Sequence, residues 1–278
     1  MHDGAYRPSK AQERTNGRRS RTRRGSAFTA TQWMLVEDLL TEGWSPEQIS
    51  GRLRRDGRLR ISYETIYKYV WSEKHAGGSL HLCLRQRTKK HRKRYATKER
   101  RGRLAGKRHI SERPPAVEKR RKIGHWEIDT VHGSGRDSVA TIVERVSGYT
   151  LIGKLPDVTA GALNDRVLKL LRRPRRKLRL VFKTFTADNG TEFHSHLEIE
   201  RKTGVQFYFA TPYHSWERGT NENTNGLIRQ YLPKRTSMAS LTQRECNEIA
   251  QQLNDRPRKR LSYATPTEML GGVSRMLF

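Results

Sequence analysis

The sequence predicts a mixed α/β domain that follows a small all-α module and a strongly basic linker. Three observations lead to this fold class. Three short helical patterns with capping residues follow one another between residues 28 and 84. Residues 85–122 then hold 18 basic residues against three acidic ones. Beyond residue 122, short apolar strands alternate with amphipathic helices, which is typical of a layered α/β fold.

Composition limits the classes of partner. The chain has 278 residues, with 57 Lys and Arg against 28 acidic residues, a net charge of +29 and a mean hydropathy of −0.90. A surplus of this size indicates a polyanionic partner, and nucleic acid fits better than an anionic membrane surface or a ribosomal role. No apolar run approaches the roughly 20 residues that cross a bilayer, so we expect no membrane partner. Cys83 and Cys246 lack metal-site spacing, which favours a reducing cytosol.

The N-terminal third is predicted to contain a helix-turn-helix domain. Residues 1–27 are polar and basic, and we expect them to be disordered until they meet a partner. Within residues 28–84, Thr31, Ser45 and Ser62 are placed to cap three short helices. This spacing suits a helix-turn-helix bundle, with an ordinary three-helix module as the alternative. The helix after Ser62 would face DNA with these side chains: Tyr63, Glu64, Thr65 and Lys68.

The basic linker, residues 85–122, carries about half of the net charge and few apolar residues. Its composition predicts a flexible strap that neutralises DNA phosphates by releasing counterions, without sequence preference. A linker that is merely solvated is the alternative.

The remaining pattern predicts a catalytic core over residues 123–236 and a helical, basic region over residues 237–278. The strand HWEIDTVHG comes first, and DSVATIVERVSGYTLIGKL forms a hairpin that turns near Ser147 and Gly148. A helix, the strand KTFTADNG, the helix GTEFHSHLEIERKTG and the strand VQFYFATPY follow. An amphipathic helix is then predicted over residues 217–234.

This last helix has an unusual polar face. A period of 3.6 residues places its apolar side chains on one side: Leu227, Ile228, Tyr231 and Leu232. The same period groups four polar ones on the other: Arg218, Glu222, Asn225 and Arg229. The plain interpretation is a solvated face with an i,i+4 salt bridge between Arg218 and Glu222.

A chemical interpretation combines this helix with two strand ends. Asp129 closes the apolar-alternating segment Trp126–Ile128, and Asp188 follows the strand that precedes Asn189 and Gly190. Either aspartate alone could simply form a turn. Together with Glu222, they would crowd three carboxylates into one pocket, which is unfavourable unless divalent cations lie between them. Oxygen ligands point to two Mg²⁺ or Mn²⁺ ions at a catalytic site for phosphodiester chemistry, with Arg218, Asn225 and Arg229 contacting phosphates.

The segments HWEIDTV, TADNGTEF and ERGTNENTNGLIRQYLPK resemble the signature blocks of insertion-sequence transposases of the IS-thirty family. Thirty-three residues separate Asp188 from Glu222, and Arg229 stands seven beyond Glu222, as in that family's pattern. WSPEQISGRL with ISYETIYKYV resembles its helix-turn-helix region, and LNDRPRKRLSYATPTEML resembles its C-terminal block. The resemblance spans roughly residues 44–270.

The resemblance implies a ribonuclease H-like core in which Asp129, Asp188 and Glu222 bind two catalytic metal ions. It further implies a transposase that cleaves double-stranded DNA at terminal inverted repeats and transfers the strand to a target. A homo-oligomer would be expected because two DNA ends must be held. The protein would be expected in the bacterial cytoplasm, associated with the nucleoid.

Family members usually begin with a further helix-turn-helix, and this chain is expected to lack it. A DNA-binding regulator without transposition activity is therefore the alternative function. A structure-selective nuclease of the same fold is a third possibility.

Overall fold

The computed structural model of the chain describes residues 7–21, 28–84, 106–172, 178, 180–212 and 214–271. Most of the predicted basic strap, residues 85–105, lies outside the described residues. Within the described ranges, no helix combines the length and apolar character that crossing a membrane requires.

The N-terminal segment differs from the prediction of disorder, because helix α1 spans Pro8–Arg21. The side chains of residues 8–18 are mostly exposed, and Gln12 Nε2 donates a local hydrogen bond to Asn16 Oδ1 at 3.2 Å. Lys, Ala, Gln, Glu and Arg are good helix formers, and composition alone does not register this local preference.

The predicted three-helix module consists of α2 (Ala30–Thr41), α3 (Pro46–Arg55) and α4 (Tyr63–His75). Ser45 and Ser62 cap α3 and α4 as predicted. The cap of α2 is Thr29 and not Thr31, because Thr29 and Gln32 form a reciprocal capping box. The three helices enclose a core of their own, in which each large apolar side chain contributes about 1.5–3 kcal/mol.

The central sheet has five strands in the order β3-β2-β1-β4-β5. These are β1 (His125–His132), β2 (Ser138–Glu144), β3 (Thr150–Leu155), β4 (Thr184–Ala187) and β5 (Gln206–Phe209). The first three strands pair antiparallel, whereas β4 pairs parallel with both β1 and β5. The hairpin turns at Gly148, whose φ of +74° suits glycine. The mixed sheet of the predicted α/β core is therefore present.

Helices cover both faces of this sheet. Helices α6 (Ala160–Arg172) and α7 (His196–Thr203) pack on the face that carries Trp126 and Ile128 of β1. Helices α8 (Gly219–Ile228) and α9 (Gln243–Asn254) pack on the face that carries Val131. The strand alternation therefore separates two cores, and the α8 side is the one on which Asp129 lies.

Two predicted helices are shorter than the sequence pattern suggests. The helix expected over residues 190–204 is divided into a 3₁₀ turn, Thr191–Phe193, and α7. The helix expected over residues 217–234 ends at Ile228.

The end of the predicted linker belongs to the core. Residues 106–122 include a 3₁₀ turn, Ile110–Glu112, and the short helix α5, Pro115–Glu118. Val117 is 1% exposed, and the backbone of Arg108 accepts a hydrogen bond from the backbone of Phe209 at 2.9 Å. The linker prediction was wrong here, because cationic side chains that look solvated in sequence find acceptors on β4 and α7, as Arg113 does at Thr186 and Arg108 at Glu200.

The C-terminal region contacts the three-helix module. It includes α10 (Pro266–Met269), and Glu268 accepts two hydrogen bonds of 2.8 Å from Arg52 of α3. The Tyr263 ring lies so close to Gly51 that a Cβ on that glycine would stand 2.2 Å from it. The helix-turn-helix module is thus packed directly against the segment that follows α9.

Candidate active site

Strand β1 brings two carboxylates to the face covered by α8. Glu127 and Asp129 are two residues apart, so their side chains share one face of the sheet. The backbone carbonyl of Asp129 also accepts a hydrogen bond of 3.3 Å from the hydroxyl of Thr141, its register partner on β2. The backbone of Asp129 is therefore fixed by two central strands.

Asp188 lies at the equivalent point of the neighbouring strand. It follows the last residue of β4, which runs parallel to β1 with Glu127 opposite Thr186. Asp129 and Asp188 each come two residues after that pair, so both lie towards the carboxyl ends of adjacent parallel strands. The backbone amide of Gly190 donates to Asp188 Oδ1 at 2.9 Å, so the aspartate also forms the predicted turn.

One guanidinium group lies between these two aspartates. Arg218 Nη1 is 3.3 Å from Asp129 Oδ2, and Arg218 Nη2 is 3.3 Å from Asp188 Oδ2. The plain interpretation of the polar helix face, a salt bridge from Arg218 to Glu222, is therefore wrong. Arg218 Nε is buried and has no hydrogen-bond partner among the described residues. The two carboxylates thus attract the charge of the Arg218 guanidinium but do not provide hydrogen-bond acceptors for all of its N–H groups.

The electrostatics of Asp129 reflect this crowding. Burial raises its pKa to about 6, and the negative charges of Asp188 and Glu192 act in the same direction. The positive charge of Arg218 and the hydrogen bond from the Thr130 amide oppose the rise. Additional positive charge in this pocket would therefore stabilise the ionised carboxylate.

Glu222 lies on α8, and it does not form a compact cluster with this pair. Its side chain is exposed and makes no hydrogen bond or ion pair with any described residue. Arg218 and Asn225, which lie four residues before and three after it, both contact Asp129. Glu222 itself is exposed, and the buried face of α8 carries Thr220, Asn221 and Thr224. Among the described residues, no three His, Cys, Asp or Glu side chains are grouped closely enough to hold a metal ion.

The other two residues of the predicted polar face have structural contacts. Asn225 Nδ2 donates to Asp129 Oδ2 at 2.9 Å and so orients that carboxylate. Arg229 Nη2 donates to the carbonyl of His132 at 2.9 Å, at the end of β1. Both side chains remain partly accessible, so these contacts leave their predicted contact with DNA open.

The predicted DNA-reading face lies on α4. Tyr63, Glu64 and Lys68 are exposed. The hydroxyl of Thr65 is 2.9 Å from the hydroxyl of Ser62, so this side chain takes part in the helix cap. The exposed face therefore retains three of the four candidates, and whether any of them touches a base is still a prediction.

Three residues that are joined by hydrogen bonds were not among the predicted site residues: Glu127, Arg145 and Asn221. Arg145 donates to Glu127 Oε1 at 2.7 Å, and the Asn221 backbone amide donates to Glu127 Oε2 at 2.7 Å. The one sequence signal for Glu127 was strand alternation. Glu127 precedes Asp129 by two residues in a strand, so the two side chains must share one face of the sheet. No local pattern could have paired Glu127 with Arg145, which follows β2.

The chain is similar to an established domain family and to several curated proteins. The integrase core domain family matches residues 119–215. The chain is 41% identical over 266 residues to the transposase for insertion sequence element IS4351 of Bacteroides fragilis, which covers 95% of this chain and 80% of that protein. It is 40% identical over 248 residues to the transposase for IS1086 of Cupriavidus metallidurans, at 87% and 72% coverage.

Two further similarities concern shorter parts of the compared proteins or of this chain. The chain is 43% identical over 250 residues to transposase InsI for IS30A of Escherichia coli strain K12, covering 85% of this chain and 63% of that protein. Among solved structures, the catalytic core domain of BIV integrase is similar over 52% of this chain and 92% of that chain, with 19% identity and a TM-score of 0.39.

Proposed function

The chain belongs to the IS30 family of insertion-sequence transposases, and from this membership we propose that it cuts and joins DNA at the terminal inverted repeats of such an element. Its α/β core is ribonuclease H-like, with a mixed five-stranded sheet. One observation supports the proposal most directly. Asp129 on β1 and Asp188, directly after the adjacent parallel strand β4, both lie 3.3 Å from the guanidinium of Arg218.

The chemistry of the pocket fits divalent metal ions. Its donors are carboxylate oxygens, which suit Mg²⁺ or Mn²⁺, and the guanidinium of Arg218 already shows that the pocket accommodates positive charge. Asp129 and Asp188 would hold such ions, and Glu222, which lies outside their cluster, would have to approach them to complete a site for two ions. When bound, the ions would supply Lewis-acid chemistry for the attacking and leaving oxygens of an in-line displacement at phosphorus.

The residues around the carboxylates keep them in a fixed orientation. Asn225 and the backbone amide of Thr130 each donate to one oxygen of Asp129. The Gly190 amide does the same for Asp188 Oδ1. Hydrogen bonds that fix the ligands in advance reduce the reorganisation needed when the substrate arrives. Arg218, once released from the carboxylates, would reach the phosphate that enters the pocket.

The proposed reaction has two displacements. Water attacks a phosphodiester at the element end and the P–O3′ bond breaks. The element strand then ends in a free 3′-hydroxyl, and the flanking strand keeps the 5′-phosphate. That hydroxyl then attacks a phosphodiester of target DNA, forming a new P–O bond and releasing the target's own 3′-hydroxyl. No covalent protein–DNA intermediate is required. Because two DNA ends must meet, we propose a homo-oligomer as the active form.

The test is metal-dependent cleavage of labelled DNA that carries the element end. Asp188→Asn preserves the side-chain shape and removes the charge, so the cleavage rate should fall about 1000-fold, since metal stabilisation of the transition state amounts to several kcal/mol. Asp165→Asn, on the exposed face of α6, serves as the matched control and should cleave at the wild-type rate.

The outcomes separate the proposal from its alternatives. Wild-type protein that binds the element end but never cuts it would reject the enzyme and favour a DNA-binding regulator. Cutting of branched DNA regardless of sequence would favour a structure-selective nuclease.

A further inference from the structure

We infer that an ion network, formed by the buried side chains of Arg113, Arg145 and Glu127 together with the exposed Glu118, positions helix α8 against strands β1 and β4. The inference rests on the proposed function, because its consequence is the placement of Glu222 relative to Asp129 and Asp188. These four are positioning residues that act through the backbone of the elements they contact.

The network begins at the N-terminus of α8. The N-cap residue of this helix, Arg218, makes no side-chain capping hydrogen bond. The amide of Asn221 in the first turn donates instead to Glu127 Oε2, on β1, at 2.7 Å. A carboxylate at this end satisfies a donor that the helix itself leaves unpaired and interacts favourably with the helix dipole. Glu127 thus caps α8 from another element and fixes the residue that precedes Glu222.

A buried arginine holds Glu127 in this orientation. Arg145 Nη1 donates to Glu127 Oε1 at 2.7 Å, and the two side chains are 2% and 0% exposed. A carboxylate inside the protein needs a partner for both oxygens, and Glu127 has one partner on each. Its rotation is therefore restricted by Arg145 on one side and by α8 on the other.

The network continues to β4, the strand that precedes Asp188. Glu118, the last residue of α5, bonds to Arg145 Nη2 at 3.2 Å and also pairs with Arg113. Arg113 Nη1 donates to the hydroxyl of Thr186, on β4, at 2.8 Å. Burial and the positive charge of Arg145 lower the pKa of Arg113 to about 10, so Glu118 separates two arginines that repel each other.

Each of the three ends of the network lies one or two residues before a proposed metal ligand. Glu127 precedes Asp129 by two residues, Thr186 precedes Asp188 by two residues, and Asn221 precedes Glu222 by one. Glu127 and Thr186 are also register partners in the sheet. Buried ion pairs are weak evidence for stability, because the cost of desolvation offsets the attraction. A network that ends beside all three proposed ligands is better explained by geometry than by stability.

Glu118 offers the sharpest test because its side chain is 66% exposed and its replacement does not open the core. Glu118→Gln leaves one acceptor oxygen for two buried guanidinium groups, so the network loosens while the fold remains. The matched control is Glu248→Gln, which breaks the exposed pair between Arg244 and Glu248. Glu127→Gln is the stronger but riskier variant.

Two measurements are made on the full chain. The first is Mn²⁺ binding, followed by the electron paramagnetic resonance of the free ion; Glu118→Gln should bind about tenfold more weakly, as replacements that disturb ligand orientation do. The second is hydrogen exchange without metal, in which the first turn of α8 should exchange about tenfold faster than in wild type. Glu248→Gln should change neither.

The results distinguish the two proposals. A lower melting temperature with unchanged Mn²⁺ affinity and unchanged exchange in α8 would overturn the inference, because the network would then be merely structural. Faster exchange in α8 with unchanged Mn²⁺ affinity would also overturn it. The wild type could also fail to bind Mn²⁺ while Glu118→Gln still exchanges faster than the wild type in the first turn of α8. That result would reject the proposed function and support the role of the network in positioning α8.

Discussion

At the residue scale, Arg218 has two successive partners in the proposed reaction. It lies between Asp129 and Asp188, where it offsets their repulsion and keeps the pKa of Asp129 lower than burial alone would make it. A metal ion bound to the same carboxylates would displace it. The arginine would then be free to contact a phosphate in the pocket, so its positive charge would be used in both states.

Arg218→Ala should therefore increase metal affinity while lowering cleavage. Removing the competing cation is expected to favour Mn²⁺ by about 1 kcal/mol, roughly fivefold in affinity. The measurement is a Mn²⁺ titration of DNA-free protein at pH 8, at which Asp129 is ionised. Arg244→Ala, which removes an exposed arginine from α9, should leave the affinity unchanged. An affinity that falls or stays constant in Arg218→Ala would contradict this role.

At the scale of the element, α4 combines a buried side with an exposed one that is rich in aromatic residues. Ile66 and Val70 pack into the core of the three-helix module. Tyr63, Tyr67 and Trp71 recur every four residues and are 46%, 38% and 43% exposed. Lys68 is exposed as well. A helix face of this kind can enter a DNA groove and contact phosphates with its cation.

Lys68→Ala should weaken binding to all DNA sequences by a similar factor. Loss of one phosphate contact lowers the slope of log affinity against log salt by about one. The slope is measured by titrating labelled duplex at several salt concentrations. Lys202→Ala on α7, whose ammonium group pairs with Glu198, is the control and should keep the wild-type slope. Equal slopes for Lys68→Ala and wild type would remove Lys68 from the interface.

At the scale of the whole molecule, the three-helix module contacts the C-terminal region that follows α9. The bidentate pair of Arg52 and Glu268 forms the centre of this contact. Gln48 adds a hydrogen bond of 2.9 Å to the carbonyl of Pro257. The C-terminal block that resembles the family therefore has a structural role, because it contacts α3 of the three-helix module.

Glu268→Gln should lower the melting temperature in a pH-dependent way. Burial raises the pKa of Glu268, but the hydrogen bonds from Arg52 and from the Thr265 amide outweigh it, so the net pKa lies below 4.5. A depressed carboxyl pKa adds stability above the unfolded value and loses it as the pH falls through the folded value. The variant should lose about 1–2 kcal/mol, or about 2–4 °C, between pH 6 and 8.

The difference between Glu268→Gln and wild type should shrink below pH 4.5, as measured by calorimetry or thermal denaturation. Glu248→Gln provides the comparison, since the pair that it breaks lies on the exposed surface of α9. A difference that is constant down to pH 3.5 would show that the charge of Glu268 does not stabilise this contact.

The sequence predicted the strands, most of the helices and the placement of Asp129 and Asp188 on neighbouring strands because those features depend on local periodicity. Alternation located β1, and the turn after β4 located Asp188. Capping chemistry located the starts of α3 and α4 at Ser45 and Ser62. The start of α2 was missed by two residues because two threonines stand close together and only Thr29 has a glutamine at the third helical position.

Local pattern failed where a charged side chain finds a distant partner. Arg113 lies in a segment that reads as a solvated linker, yet it is 5% exposed and bonds to Thr186 across 73 residues. The sequence carries no signal for such a contact, because the energy of a buried ion pair depends on which acceptor the fold places opposite it.

By itself, the sequence determined the fold class, the family and the chemistry of the candidate ligands, because residue type and spacing carry that information. Only the tertiary structure decided that Arg218 would lie between Asp129 and Asp188, and that Glu127 and Arg145 would hold the helix of Glu222. The physical reason is that electrostatic interactions inside a protein depend on distance and burial in three dimensions. Neither quantity can be read along the chain.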